Sequence, residues 1–155
     1  MKTVVLGIGN ILLTDEGVGV HAVKELLKEK IPENVEILDG GTLGFGLLDV
    51  ICEADRLIII DAIKGGEKPG TVYHFKIDDF CKLPASFGNS AHEITILDVL
   101  RAAELLGKSP KIEIFGIEPR SLEIGLELSP DVKENLPKLL CAVLKSLNRI
   151  ERDQF

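Results

Sequence analysis

The segment Arg56-Leu57-Ile58-Ile59-Ile60-Asp61 carries four large apolar side chains in succession. An alternating strand can leave one face in water, but this one is apolar on both faces. It therefore belongs inside a sheet covered by helices on either side. The composition agrees: 45% of the 155 residues are hydrophobic, aromatics reach only 5% and Trp is absent, so Val, Ile, Leu and Ala must build the core. The length fits one domain, residues 1–155. No repeat, low-complexity tract or linker rich in Gly, Ser or Pro divides it.

Strand-like and helix-like segments alternate around this centre. Thr3–Ile8 reads as a first strand, stopped by Gly7 and Gly9. A helix is expected from about Asp15 to Lys30, with Thr14 or Asp15 as its cap, acids in its first turn and Lys24, Lys28 and Lys30 late, the charge order that the helix dipole favours. Val35–Asp39 forms a second strand, and a short helix follows near Phe45–Cys52. Thr71–Lys76 alternates and suits an edge or an antiparallel position. Residues Asp78–Ala91 read as loop. Ser90-Ala91-His92-Glu93 has the pattern of a capping box opening a helix to about Leu106. Lys111–Ile117 is a fifth strand, and a last helix starts near Ser129-Pro130, with Pro137 expected to kink or restart it. Right-handed crossovers then give an α/β fold with helices on both faces of a mainly parallel five-stranded sheet.

The formal net charge of −7 argues against nucleic acid or an anionic membrane as partner, since phosphate binding needs a cationic face. It permits a cationic target. Cys52, Cys81 and Cys141 are widely spaced without a CxxC pair, and read as buried small apolar residues in a reducing compartment. The opening MKTVVLGIGN leads into a strand rather than a signal peptide, and no apolar run is long enough to span a bilayer. A cytoplasmic protein is expected.

Ligands in open α/β sheets collect beyond the carboxyl ends of the strands. Glu16 follows the first strand, Asp39 ends the second, Asp61 ends the third, and His92 opens the helix feeding the fifth. Glu16, Asp61 and His92 make a plausible three-ligand set for a divalent metal, two carboxylates and an imidazole with positions left for water or a partner's ligands. Each alone has a plainer explanation: dipole compensation for Glu16, a turn cap for Asp61, a surface residue for His92. Their shared rim raises the metal reading. His21, assigned to the polar side of the first helix, and His74, on a peripheral strand, read as structural.

Gly7-Ile8-Gly9 after a strand also resembles the start of a dinucleotide fingerprint. The third glycine is replaced by Leu12, and Asp15 and Glu16 would repel a pyrophosphate at the helix start. The loop suits a cation better than an anion.

The ordered series Gly7-Ile8-Gly9-Asn10 with Asp15-Glu16-Gly17, Asp39-Gly40-Gly41-Thr42, Ile60-Asp61-Ala62, Ser90-Ala91-His92-Glu93, Gly116-Ile117-Glu118-Pro119, Gly125-Leu126 and Leu128-Ser129-Pro130 resembles the hydrogenase maturation protease family. The resemblance runs through nearly the whole chain. It implies a three-layer α/β/α sandwich, acting as a monomer. It implies an endopeptidase, often classed as aspartic-type, that removes a C-terminal extension from a nickel-loaded hydrogenase large-subunit precursor. The nickel would be supplied by the substrate as recognition element, with no permanently bound cofactor. Glu16, Asp61 and His92 would inherit the metal-binding role, and Asp39–Thr42 the substrate-contact region. Asp61 or Asp39 would serve as general base, or the metal would polarise the carbonyl or activate a water; the sequence leaves these routes open. It also leaves open a nickel-sensing module that docks on the precursor without cutting it. Ser–His–Asp or Cys–His nucleophilic catalysis has no credible arrangement, since His92 lacks a nucleophile and acids near Cys52 disfavour a thiolate.

Overall fold

The strand Arg56–Ala62 does take the centre. In the computed structural model, which describes residues 1–76 and 95–153, the chain forms β1 (Thr3–Ile8), α1 (Val18–Leu26), β2 (Val35–Gly41), α2 (Leu48–Glu53), β3 (Arg56–Ala62), β4 (Val72–Lys76), α3 (Ile96–Leu105), β5 (Lys111–Ile117) and α4 (Pro130–Asp153). The sheet order is β2-β1-β3-β5-β4. β1 pairs in parallel with β2 and β3, β3 with β5, and only the edge strand β4 runs antiparallel, against β5.

Alternation along the strands splits the core into two layers. Leu6, Leu57, Ile59 and Ile114 face Ile51 of α2 and Val99 of α3. Val5, Ile58, Ile60, Phe115 and Ile117 face Val18, Ala22 and Leu26 of α1 and Val132, Leu139 and Val143 of α4. Helix, sheet and helix thus form three layers. Each fully buried Ile or Leu here contributes roughly 1.5–3 kcal/mol relative to exposure, so β3 with its run of fully buried side chains anchors both layers at once.

Glycine sets how closely α1 lies on the sheet. A Cβ on Gly7 would come within 2.2 Å of the Gly19 carbonyl oxygen, and one on Gly19 within 2.2 Å of the Ile60 carbonyl oxygen. Both positions therefore exclude side chains, and the helix start is drawn down onto β1 and β3.

Several local expectations are corrected. The expected first helix begins as a 3-10 turn, Thr14–Gly17, and its α part ends at Leu26, before the late lysines Lys28 and Lys30. Neither Thr14 nor Asp15 caps it: the residue before the turn is Leu13, which makes no side-chain cap bond, and Asp15 turns elsewhere. α3 starts at Ile96, where Thr95 and Asp98 form the capping box, and the extended backbone of Thr95 (φ −89°, ψ 161°) bars an unbroken helix from Ala91. Ser90-Ala91-His92-Glu93 and the expected loop Asp78–Ala91 lie outside the described residues. α4 runs through Pro137 as one 24-residue helix; Pro137 is exposed, so water can serve the Lys133 carbonyl left without its helical donor. Cys141 is exposed and Cys52 only partly buried, and both are free thiols; Cys81 lies outside the described residues.

Candidate active site

β1 connects to β2 on one side of itself, and the chain then crosses back to β3 on the other side. The crevice beyond the carboxyl ends of β1 and β3 is therefore the switch point where such sheets bind ligands. The β1–α1 loop closes over it. Gly9 has φ +132°, and a Cβ there would lie 1.8 Å from the Glu16 carbonyl oxygen and 3.7 Å from Asp61 Oδ1. Only a glycine lets the turn carrying Glu16 fold back against the end of β1, beside Asp61.

Asp61 is the penultimate residue of β3, level with Gly116 of β5. It keeps a narrow exposure to solvent, and the Ala62 amide donates to its Oδ1 at 2.8 Å. Burial pushes its carboxyl pKa up from 3.8 to about 8; the Ala62 hydrogen bond opposes this, and the negative charge of Glu16 adds to it. Two acids expected at one rim are thus electrostatically coupled. Burial is the larger cause, and the Glu16 charge adds to it.

Asp39 stands apart. It pairs with Gly7, which also pairs with Ile60, so strand alternation assigns Asp39 to the face of Ile60 and Asp61 to the opposite face. It is exposed on the edge strand β2. His92, the third expected ligand, lies outside the described residues. Among the described residues, no group of three or more His, Cys, Asp or Glu side chains could hold a metal ion.

The residue that organises this loop is Asp15, expected only as a helix cap. It is fully buried and its carboxylate accepts four hydrogen bonds: from the amides of Arg120 (2.9 Å) and Ser121 (3.0 Å) to Oδ2, from the Ser129 amide to Oδ1 (2.7 Å) and from the Ser129 hydroxyl to Oδ2 (2.7 Å). Thr14, held at φ +54°, donates its hydroxyl to the Glu123 carbonyl at 2.5 Å. These bonds pin the Glu16 turn to the segment between β5 and α4. Glu118 does similar work one loop away, accepting from the Gly65 amide (3.0 Å), the Glu67 amide (2.8 Å) and the Tyr73 hydroxyl (3.1 Å). The Asp-Glu and Glu-Pro pairs were visible in the sequence, but their partners lie far along the chain. His21 keeps the structural role expected of it but not its place on a polar face: its Nε2 is buried with no hydrogen-bond partner among the described residues, and burial lowers its pKa.

Comparison with known proteins gives a consistent result. Residues 20–146 match the family described as hydrogenase maturation protease. The chain is 42% identical to the hydrogenase 2 maturation protease of Escherichia coli, over 95% of this chain and 91% of that one. It is also 42% identical to the hydrogenase expression/formation protein HupD of Bradyrhizobium diazoefficiens, over 92% and 78%. Among solved structures, the hydrogenase maturating endopeptidase HybD from Escherichia coli superposes with a TM-score of 0.86 at 41% identity, covering 96% and 93% of the two chains. A [NiFe] hydrogenase maturation protease HybD from Thermococcus kodakarensis gives 0.75 at 26% identity, covering 95% and 99%.

Proposed function

This chain belongs to the hydrogenase maturation protease family and is a peptidase, and from that premise we propose that it removes the C-terminal extension of a nickel-loaded hydrogenase large-subunit precursor. The observation that carries the proposal is the coupled pair Glu16–Asp61 in the switch-point crevice, where burial and a neighbouring negative charge leave Asp61 with a pKa of about 8. A carboxyl in that state favours an arriving cation, because the cation relieves the repulsion and the acid can then ionise.

In this reading the nickel belongs to the substrate. Glu16, Asp61 and His92 complete its coordination and so hold the scissile peptide against the rim. Asp61, whose pKa sits near neutrality, is the group best matched to exchange a proton with an attacking water. Asp39, exposed on β2 with β1 between it and β3, would contact the incoming chain rather than the reacting atoms. In the same proposal the protein acts in the cytoplasm as a monomer.

The test is to mix the protein with nickel-loaded and nickel-free precursor and follow the size of the large subunit. Shortening of the loaded form alone, abolished by Glu16→Gln or Asp61→Asn, is expected. Equal cleavage of both forms would remove nickel from the recognition step, and tight binding without any shortening would mark a docking module instead of a peptidase.

A further inference from the structure

Beside the acidic crevice lies an apolar surface that the fold leaves uncovered. Leu12 is 56% exposed, Ile124 91% and Leu126 66%. They come from two loops joined by an isolated parallel bridge between Leu13 and Gly125. The Gly125 amide donates to the Leu12 carbonyl at 2.9 Å, and the Thr14 amide donates to the Gly125 carbonyl at 2.9 Å. The bridge and these two hydrogen bonds bring the backbone at Leu12 beside Gly125, so exposed Leu12, Ile124 and Leu126 lie on neighbouring segments of one apolar ledge. A mobile loop hides such side chains by collapse, but here Asp15 and its four hydrogen bonds hold the two segments in place.

We infer that this ledge is the docking surface for an apolar segment of the precursor that carries basic residues and adjoins its cleavage site; the inference rests on the function proposed above. Three observations select that occupant. The ledge and Glu16 belong to the same pinned loop, with the Glu16 amide donating to the Leu13 carbonyl at 3.2 Å, so whatever seats on the ledge is delivered to the crevice. Exposed Glu123 and Glu127 flank Ile124 and Leu126, and the nearby Arg120 is paired with Asp131 at 2.6 Å, which leaves an acidic border favouring a basic partner. A second copy of this chain would bring the same acids against themselves, which disfavours self-association. A rigid apolar platform also loses little conformational entropy on binding, so its contact area converts into affinity efficiently.

The experiment measures binding of full-length nickel-loaded precursor by calorimetry to the Asp61→Asn chain, which holds turnover off, with and without the double substitution Ile124→Asp/Leu126→Asp. Affinity is expected to fall roughly 30-fold or more, as for truncation of a central apolar contact, while thermal unfolding stays unchanged; these side chains are exposed, and Ile124→Ser/Leu126→Ser provides a milder pair should the acids perturb folding. Raised salt is expected to weaken binding of the parent. Affinity within about twofold of the parent, or a change of oligomeric state in place of a change in affinity, overturns the inference. The two proposals separate cleanly. Precursor that binds in a ledge-dependent way but is never shortened by the unmodified chain sinks the peptidase function alone. Cleavage with ledge-independent binding sinks the ledge alone.

Discussion

Each end of the sheet holds a buried or half-buried acid, and the two ends treat it in opposite ways. At the amino end, Glu113 of β5 meets Arg56 at 2.7 Å, the Ser146 hydroxyl at 2.8 Å and His74 at 2.8 Å. Burial alone would push its carboxyl up, but the hydrogen bonds from Arg56, Ser146 and His74 and the Arg56 charge outweigh burial and hold it below its ordinary range. At the carboxyl end, Asp61 has the Ala62 amide as its donor among the described residues and the charge of Glu16 nearby, and its pKa rises to about 8. A buried charge that is fully partnered supports the fold. One with few donors among the described residues is held back from ionising, as Asp61 is. Asp15 sharpens the lesson, because it neighbours Glu16 in sequence yet has four donors and belongs with Glu113.

The largest expected effect falls on the carboxyl end. Asp61→Asn should lower the rate of precursor shortening by about 10³-fold, within the range found for removal of a positioned acid or base, with the protein still folded by circular dichroism. Loss of less than about tenfold would place Asp61 among the structural acids. At the amino end the expectation reverses. Arg56→Met strands Glu113 and should lower unfolding free energy by about 3 kcal/mol in urea, while the folded fraction keeps its cleavage rate. A strong loss of rate at full stability would break the contrast between the two ends.

Asp15→Asn tests the loop that joins stability to function. Replacing an acceptor of four hydrogen bonds by an amide aims a donor at donors and should lower stability by roughly 2 kcal/mol. Because the Glu16 turn and the ledge are released together, precursor affinity should weaken as well, which calorimetry would read.

The smallest effect is the most diagnostic of sign. A carboxyl whose folded pKa lies above its unfolded value binds its proton more tightly when folded, so its stabilising contribution is complete below 3.8 and is lost as pH rises toward about 8. Asp61→Asn cannot ionise. Its stability should therefore fall less than that of the unmodified chain as pH rises from about 5 to about 8. A difference independent of pH in urea titrations would contradict the raised pKa.

Much of the fold was legible because it rests on local patterns. The unbroken apolar run of β3 required a central place, β5 reads correctly from Lys111 to Ile117, and the alternation of β4 suited the antiparallel edge it occupies. The nearness of Glu16 to Asp61 was legible through a topological rule, since the carboxyl ends of β1 and β3 meet at one crevice. What escaped depends on distant partners. Asp15 looks like a cap because its neighbours are all that a sequence shows, whereas Ser129 lies 114 positions away. The start of α3 at Ile96 rests on the capping box of Thr95 with Asp98, a pair passed over in the sequence. Nothing local in the sequence marks Leu12 and Ile124 as neighbours, and only the bridge at Gly125 brings their two loops together.

A carboxyl titration followed by carbon NMR, with Asp and Glu labelled at their side-chain carboxyl carbons, compares both ends of the sheet in one sample. Asp61 is expected to titrate near 8 and to move down when Glu16→Gln removes the adjacent charge, while Glu113 titrates below its ordinary 4.5. An Asp61 that titrates at the ordinary 3.8, indifferent to Glu16, would mean that the crevice holds no coupled acid pair and has no electrostatic reason to grip a cation.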